Sequence, residues 1–444
     1  MRLLNVKTLQ LEEFSEYELL VHRTTIEQLA IATGLPIIEY AILSHTWGEE
    51  EVVFDDIRLN LRSTRRKKGF AKIKRCCDQA TKDGLKYVWI DSCCIDKRSS
   101  AELTEAINSM YKWYQWADVC YIYLSDVEAD GYSPAAHEND QFSRSRWFGR
   151  GWTLQELLAS THVKFFSKDW ESLGPNIVRH NFERDEADDD ESQLLTKLAR
   201  VTRIPYELLS GQSFVEQYSV AQKMSWASRR ETTRSEDMAY SLMGIFKVNM
   251  PVLYGEGPLR AFRRLQHEII KTTPDQSIFC WVAYLPKRFP GILAERPSEF
   301  GTSFDIQQHP ESGSAIFSMT NWGLQIRGLS LFKVEDGFPF ERDFELYFAV
   351  LGCTTETKLD DGTAPLVGIY LTRVLDPLSD MDCGVWRRVH DTECRVDPSA
   401  LQRLFSKDKE IFVVETDQLI DRELKANRIN EWDASFFRAW RGLY

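Results

Sequence analysis

The sequence predicts an α/β N-terminal domain built on a parallel sheet, then a helical middle segment, then a β-rich C-terminal domain. Three observations predict this. Up to about residue 170, short apolar runs that end in polar residues alternate with segments whose apolar residues recur at helical spacing. Apolar strands separated by helices must pair in parallel, with helices on both faces. From about residue 275 the pattern changes to short apolar runs between turn residues, as in an all-β unit.

Taken in order, residues 1–37 read as an N-terminal extension and 38–180 as the α/β domain. Its strands are expected at 40–45 (YAILSH), 87–91 (YVWID), 119–124 (VCYIYL) and 162–166 (HVKFF). Between them, Phe70, Ile73, Cys77 and Ala80 mark one amphipathic helix, and Leu103, Ala106, Ile107, Met110 and Tyr114 mark a second. A polar loop, 128–145, leads into a third helix that carries Trp152 and Glu156. The charge run 183–191 reads as a mobile surface loop. Residues 181–274 are otherwise helical, with helices expected at 193–201, 220–228, 236–246 and 258–271. Ser235 suits the N-cap of the third of these, and Pro258 the first turn of the fourth. In 275–444, strands are expected at 277–284, 315–319, 324–332, 344–351, 366–374, 385–390 and 411–415, arranged as a sandwich, with a last short helix near 434–441.

Composition excludes several classes. The net charge of −12 argues against a nucleic-acid-binding surface. The one basic run, 62–75, reads as a solvated loop and helix start. Nine cysteines, with adjacent pairs Cys76-Cys77 and Cys93-Cys94 and no C-x-x-C, suit reduced thiols and neither a disulfide framework nor a zinc site. The start of the chain lacks the apolar core of a signal peptide, and no run approaches the roughly 18 apolar residues of a membrane span. These features lead to the expectation of a cytoplasmic protein with no metal and no bound cofactor. Gly255-Glu256-Gly257 lacks a third glycine and a preceding strand, so it is no dinucleotide fingerprint, and no P-loop or zincin motif occurs.

In open parallel sheets, ligands bind beyond the carboxyl ends of the strands. Ser44, His45 and Asp91 fall at such ends, and so does the loop feeding the Glu156 helix. Trp152 and Glu156 stand one helical turn apart on one face, pairing an aromatic plate with a carboxylate. Neighbours in a strand point apart, so Ser44 and His45 do not form a nucleophile pair.

Four blocks carry a family resemblance: 40–48 (YAILSHTWG), 87–97 (YVWIDSCCIDK), 110–127 (MYKWYQWADVCYIYLSDV) and 145–159 (SRWFGRGWTLQELLA). They resemble the fungal heterokaryon incompatibility (HET) domain over about residues 38–170. The segments 224–230 (MSWASRR), 236–242 (EDMAYSL) and 253–257 (LYGEG) are similar to the stretch that often follows it. The resemblance implies a role in non-self recognition between fungal strains and in programmed cell death. Unlike larger members, this sequence shows no P-loop NTPase and no WD repeats.

A more distant resemblance, to TIR domains, implies a TIR-like, flavodoxin-like sheet. TIR domains that cleave NAD+ carry their glutamate in a W-C-x-x-E-L block. Here the block is WTLQEL, with Thr153 in place of the cysteine. By this resemblance Glu156 is the catalytic residue of an NAD+ glycohydrolase, with NAD+ or a related nucleotide as substrate rather than cofactor. Ser44, His45, Trp47, Asp91 and Trp152 are the substrate-binding candidates; the two indoles can stack on a ring, and Ser44 and Asp91 can hold hydroxyls. Packing or capping serves these residues equally well. The alternative function is a non-catalytic module that signals by self-association. A third is a binder built on the C-terminal unit, where a protein trigger can dock.

Overall fold

The computed structural model describes residues 1–20, 38–60, 62–133, 140–179, 189–283 and 291–309, and the strands and short connections between 317 and 413. The chain forms two compact units, residues 1–218 with 229–265, and residues 219–228 with 266–444.

The first unit is built on a sheet of seven strands: β1 (Arg2–Asn5), β2 (Leu11–Glu13), β3 (Tyr40–His45), β4 (Tyr87–Trp89), β5 (Val119–Tyr123), β6 (His162–Phe166) and β7 (Ile177–Val178). Their spatial order is β2-β1-β4-β3-β5-β6-β7. The four strands expected from sequence, β3 to β6, pair in parallel throughout. Among themselves they stand second, first, third, fourth, which puts the topological switch point between β3 and β5. All six residues of β3 are buried, as a strand at the centre of a two-sided sheet requires. Strand β1 and the edge strands β2 and β7 run antiparallel to their neighbours. Part of the stretch read as an N-terminal extension therefore belongs to the sheet. Leu3 and Leu4 are fully buried there, but four residues are too few to show a period.

Helix α1 (Lys68–Lys82) buries Ile73, Cys76, Cys77 and Ala80. Helix α2 (Ser100–Trp116) is capped by Ser99, whose hydroxyl accepts from the Glu102 amide. It buries Ala106, Ile107, Met110, Trp113 and Tyr114, the face its spacing predicts. Trp113 and Tyr114 meet Trp89 of β4 edge-on, at 5.6 and 5.9 Å between ring centroids. Each such side chain contributes about 1.5–3 kcal/mol by leaving water. Helix α3 (Trp152–Ala159) precedes β6. The seven described cysteines are free and buried.

Three expectations need correction in this unit. The helix expected at 236–246 is only Asp237–Tyr240, followed by turns. The chain there passes so close to Tyr111 that a Cβ on Gly244 would lie 2.3 Å from the Tyr111 Cβ, and a glycine costs helix interior stability in any case. The N-cap position is Glu236 and not Ser235; its carboxylate accepts the Gly255 and Gly257 amides at 2.9 and 3.3 Å. Asp189–Glu191, read as the end of a loop, open the helix Asp189–Thr202, where acidic residues favour the N-terminal end. The rest of that charge run, 183–188, lies outside the described residues.

The second unit holds the helix Val220–Ala227, capped by Ser219. Over its described residues, the strand expected at 277–284 is replaced by a 3-10 turn, Gln276–Phe279, and irregular chain up to residue 283. Its apolar run is a buried turn, because the Asp275 carboxylate binds the Ser277 amide (2.9 Å) and the Val220 amide (2.6 Å) and fixes the bend. The strands are β8 (Ile306–Gln308), β9 (Phe317–Thr320), β10 (Gly323–Lys333), β11 (Leu346–Val350), β12 (Cys353–Thr355), β13 (Leu366–Arg373), β14 (Gly384–Arg388), β15 (Arg395–Val396) and β16 (Lys407–Val413). They do not form the expected sandwich. The pairings β10–β11, β11–β13, β13–β14, β14–β16 and β16–β10 close a ring. Strands cannot alternate direction around an odd ring, and β14–β16 is its parallel pair. Closure removes most exposed edges. The expected helix at 434–441 lies outside the described residues. Among the described residues no helix is long and apolar enough to cross a membrane.

Candidate functional site

A cavity of about 440 Å³ opens beyond the carboxyl ends of β3 and β4, within the size range of small-molecule sites. Leu43, Ile107 and Met110 give it apolar surface, and His45, Trp47, Asp91, Trp152 and Glu156 give it chemistry. Of the six residues singled out from sequence, these five line one cavity. Ser44 stands behind the wall, fully buried.

The backbone that delivers Glu156 is held from the far end of the unit. Gly151 gives its amide to the Glu231 carbonyl (2.8 Å), and the Glu231 amide returns to Gly149 (2.7 Å). The two segments approach so closely that a Cβ on Gly151 would lie 2.5 Å from Thr232 Cγ2. The Arg230 guanidinium donates to the Arg150 carbonyl and to Thr153 Oγ1, both at 3.0 Å. Helix α3 thus starts from a fixed point, and Trp152 at its first position and Glu156 one turn later reach the cavity.

Glu156 is 7% exposed. Ser44 donates its hydroxyl to the Glu156 carboxylate. The Trp147 indole N–H donates to Ser44 Oγ at 2.8 Å, so the serine proton is left to point at the carboxylate. Burial pushes the Glu156 carboxyl up to about 7; the Ser44 hydrogen bond opposes this, the Asp91 charge adds to it, and Arg150 opposes it. A carboxyl at that value is ionised in substantial part at neutral pH and can still accept a proton.

Asp91 is set oppositely. Burial would raise its carboxyl, but Lys97, Arg150 and the Trp47 N–H, among others, outweigh burial and hold it well below the usual carboxylate range. Trp47 Nε1 donates to Asp91 at 2.9 Å, Lys97 Nζ lies 3.3 Å from the same oxygen, and that ammonium also sits 3.5 Å from the Trp47 ring centroid. Two carboxyls in one cavity are therefore driven apart in acidity, a frequent property of functional sites. His45 is buried with neither ring nitrogen hydrogen-bonded, 3.8 Å from Asp91 and 4.0 Å from Glu51. Burial, then the nearby Lys72, push it well below its ordinary value, so it is neutral at pH 7. Lys72 corrects the reading of the basic run as solvated: it is buried and paired with Glu51 at 2.5 Å. Lys67, Lys68 and Lys74 in the same run also pair, with Asp56, Glu49 and Asp78.

Sequence reasoning missed a second wall. Asp237 accepts from the Trp152 indole (3.0 Å) and from the Tyr254 hydroxyl (2.8 Å), and burial raises its carboxyl. Arg234, exposed, lies 4.0 Å over the Tyr254 ring. Arg150 also lines the cavity. In the sequence Asp237 and Tyr254 are marked only as members of the segments 236–242 and 253–257. The signal available was that both lie in segments resembling those that follow the HET blocks. Among the described residues, no group of His, Cys, Asp and Glu has metal-holding geometry.

Comparison with known proteins agrees with these blocks. The family profile "Heterokaryon incompatibility protein (HET)" matches residues 40–143. A second profile, "Domain of unknown function (DUF8212)", matches 260–322. The chain is 46% identical over 236 residues to the vegetative incompatibility protein HET-E-1 of Podospora anserina; the match covers 52% of this chain and only 16% of that protein. No solved structure gives a significant match. The strand-end motifs, the profile match and this relative agree that residues 40–143 match a heterokaryon incompatibility (HET) domain.

Proposed function

We propose that the first unit is a TIR-like, flavodoxin-like NAD+ glycohydrolase acting in vegetative incompatibility and cell-death signalling. The observation that carries the reading is Glu156: a carboxyl in the cavity wall, held by Ser44 and lifted by burial to about 7. The β4-β3-β5-β6 order and the W-x-x-x-E-L block support it. The relative's name supports the biological part.

In the reaction, the bond between ribose C1′ and the nicotinamide nitrogen breaks, and its electron pair stays with nicotinamide, which leaves neutral. No general acid is needed. Positive charge builds on the ribose, as in glycoside hydrolysis. The Glu156 carboxylate stabilises that charge and then takes a proton from the water that attacks C1′. The products are ADP-ribose, nicotinamide and one proton. Trp152 and Trp47 offer faces to the ring, and Asp91, kept ionised, suits a ribose hydroxyl. Ser44 and Trp147 act as positioning residues for Glu156.

The test is nicotinamide release from concentrated full chain, wild type against Glu156→Gln. Loss of one electrostatic contact at such a site typically costs about 100- to 1,000-fold in rate. The same change should abolish cell death on overexpression. If the variant still kills cells while cellular NAD+ stays constant, the enzyme reading falls and a self-associating module takes its place.

A further inference from the structure

We propose that Arg150 forms an anion subsite, so that the cavity takes a phosphorylated ribonucleotide with its phosphate on this guanidinium. The inference rests on the glycohydrolase reading for the identity of the ring end, and on Arg150 itself for the phosphate.

The carboxylates of the cavity already have donors. Asp91 has Trp47 and Lys97, Glu156 has Ser44, and Asp237 has Trp152 and Tyr254. Arg150 is half-buried in the same wall, and its side chain has no hydrogen bond or ion pair with any described residue. Its charge nevertheless acts on Asp91, Glu156 and Asp237, so it stands among all three without pairing with one. A guanidinium held there is attracted from several sides and satisfied from none. Its N–H fork is left for a ligand, and phosphate oxygens match that fork bidentately.

The base of the side chain is fixed. The Arg150 amide donates to the Trp147 carbonyl at 3.2 Å, and its carbonyl accepts from Arg230. A ligand then has to order the side chain but not the backbone that carries it. Arg234 on Tyr254 puts a second cation at the same cavity. An ionised carboxylate and an unpaired guanidinium in one cavity fit a ligand that is cationic at its ring and anionic at its phosphate.

Titration calorimetry on the full chain carrying Glu156→Gln, which prevents turnover, compares nicotinamide mononucleotide with nicotinamide riboside. The mononucleotide should bind at least about tenfold tighter, since one charged bidentate contact is worth about that much or more. Arg150→Gln in the same background should erase the preference. Arg150→Lys keeps the charge without the fork and should retain only part of it. Both variants leave the backbone bonds of residue 150 in place, and their thermal unfolding should stay near the parent's. If Arg150→Gln fails to fold, Arg150→Lys decides: undiminished preference overturns the subsite. Equal binding of the two probes, no binding of either, or a preference that survives Arg150→Gln also overturns it. Nicotinamide release by wild type, measured in parallel, separates the two readings. Release with equal probe binding removes the subsite alone, whereas Arg150-dependent binding without release removes the glycohydrolase alone.

Discussion

Replacing Glu156 with glutamine should stabilise the first unit, and by more as the pH rises. The Glu156 carboxyl moves from an ordinary 4.5 to about 7 on folding, chiefly through burial. Between those values the folded chain binds more protons than the unfolded one, so stability falls as pH rises and stays reduced above the window. At 1.36 kcal/mol per pH unit, the ionised side chain costs about 3 kcal/mol above pH 7, of which about 2.5 develops between pH 5 and 8. Glutamine keeps an oxygen for the Ser44 hydroxyl and carries no charge to desolvate. Near pH 4.5 the variant and wild type should be close, and at pH 8 the variant should lead by about 2–3 kcal/mol. Pulse proteolysis in urea, followed through first-unit peptides by mass spectrometry, reads this unit separately from the second, as a multi-unit chain requires. A gap that stays constant between pH 5 and 8, or a variant weaker than wild type at pH 8, would refute the burial argument, whatever the chain turns out to cleave.

Other perturbations follow from the same contacts. Ser44→Ala removes the donor that eases Glu156 ionisation; the acid limb of nicotinamide release against pH should move upward by about 1–2 units, given about 1.5–3 kcal/mol for a hydrogen bond to a charge. An unmoved limb would show that Ser44 does not hold the carboxylate. Lys72→Met leaves Glu51 buried without its partner and should cost about 3–5 kcal/mol in urea unfolding. Gly151→Ala should cost about 1–3 kcal/mol through overpacking against Thr232. The double change Gly151→Ala with Thr232→Ser, which removes the offending methyl and keeps a hydroxyl for the Arg234 carbonyl, should recover most of that loss in thermal unfolding.

The central sheet was legible because its strands are buried on both faces and their apolar runs are continuous. Helix α2 was legible because its buried face repeats every three or four residues. The short strands β1 and β7 were not, since four and two residues give no period. Gln276–Phe279 misled because a short apolar run reports burial and not backbone shape. The ring in the second unit follows from pairings between strands far apart in sequence, which no local pattern encodes. At the cavity, residues at strand ends could be placed by the parallel-sheet rule alone. Asp237, Arg150 and Tyr254 could not, because each reaches the cavity from a turn, a short helix or a loop whose direction depends on distant contacts. Lys72 looked solvated because its partner, Glu51, is a neighbour only in space.

The bridge between Gly149–Gly151 and Glu231 bears on how such a site can be inherited. The stretch matched by the HET profile ends at residue 143, before Glu156. Yet the cavity draws on residues from Leu43 to Tyr254. A recombination event or an expression boundary falling between 160 and 229 would keep the carboxylate and discard Arg230, which pins the start of its helix, together with Asp237 and Tyr254 on the opposite wall. Exchange between related genes can therefore carry this cavity intact only when the segment that follows the HET blocks travels with them. A shorter transplant would deliver the recognisable motifs without the frame that aims them.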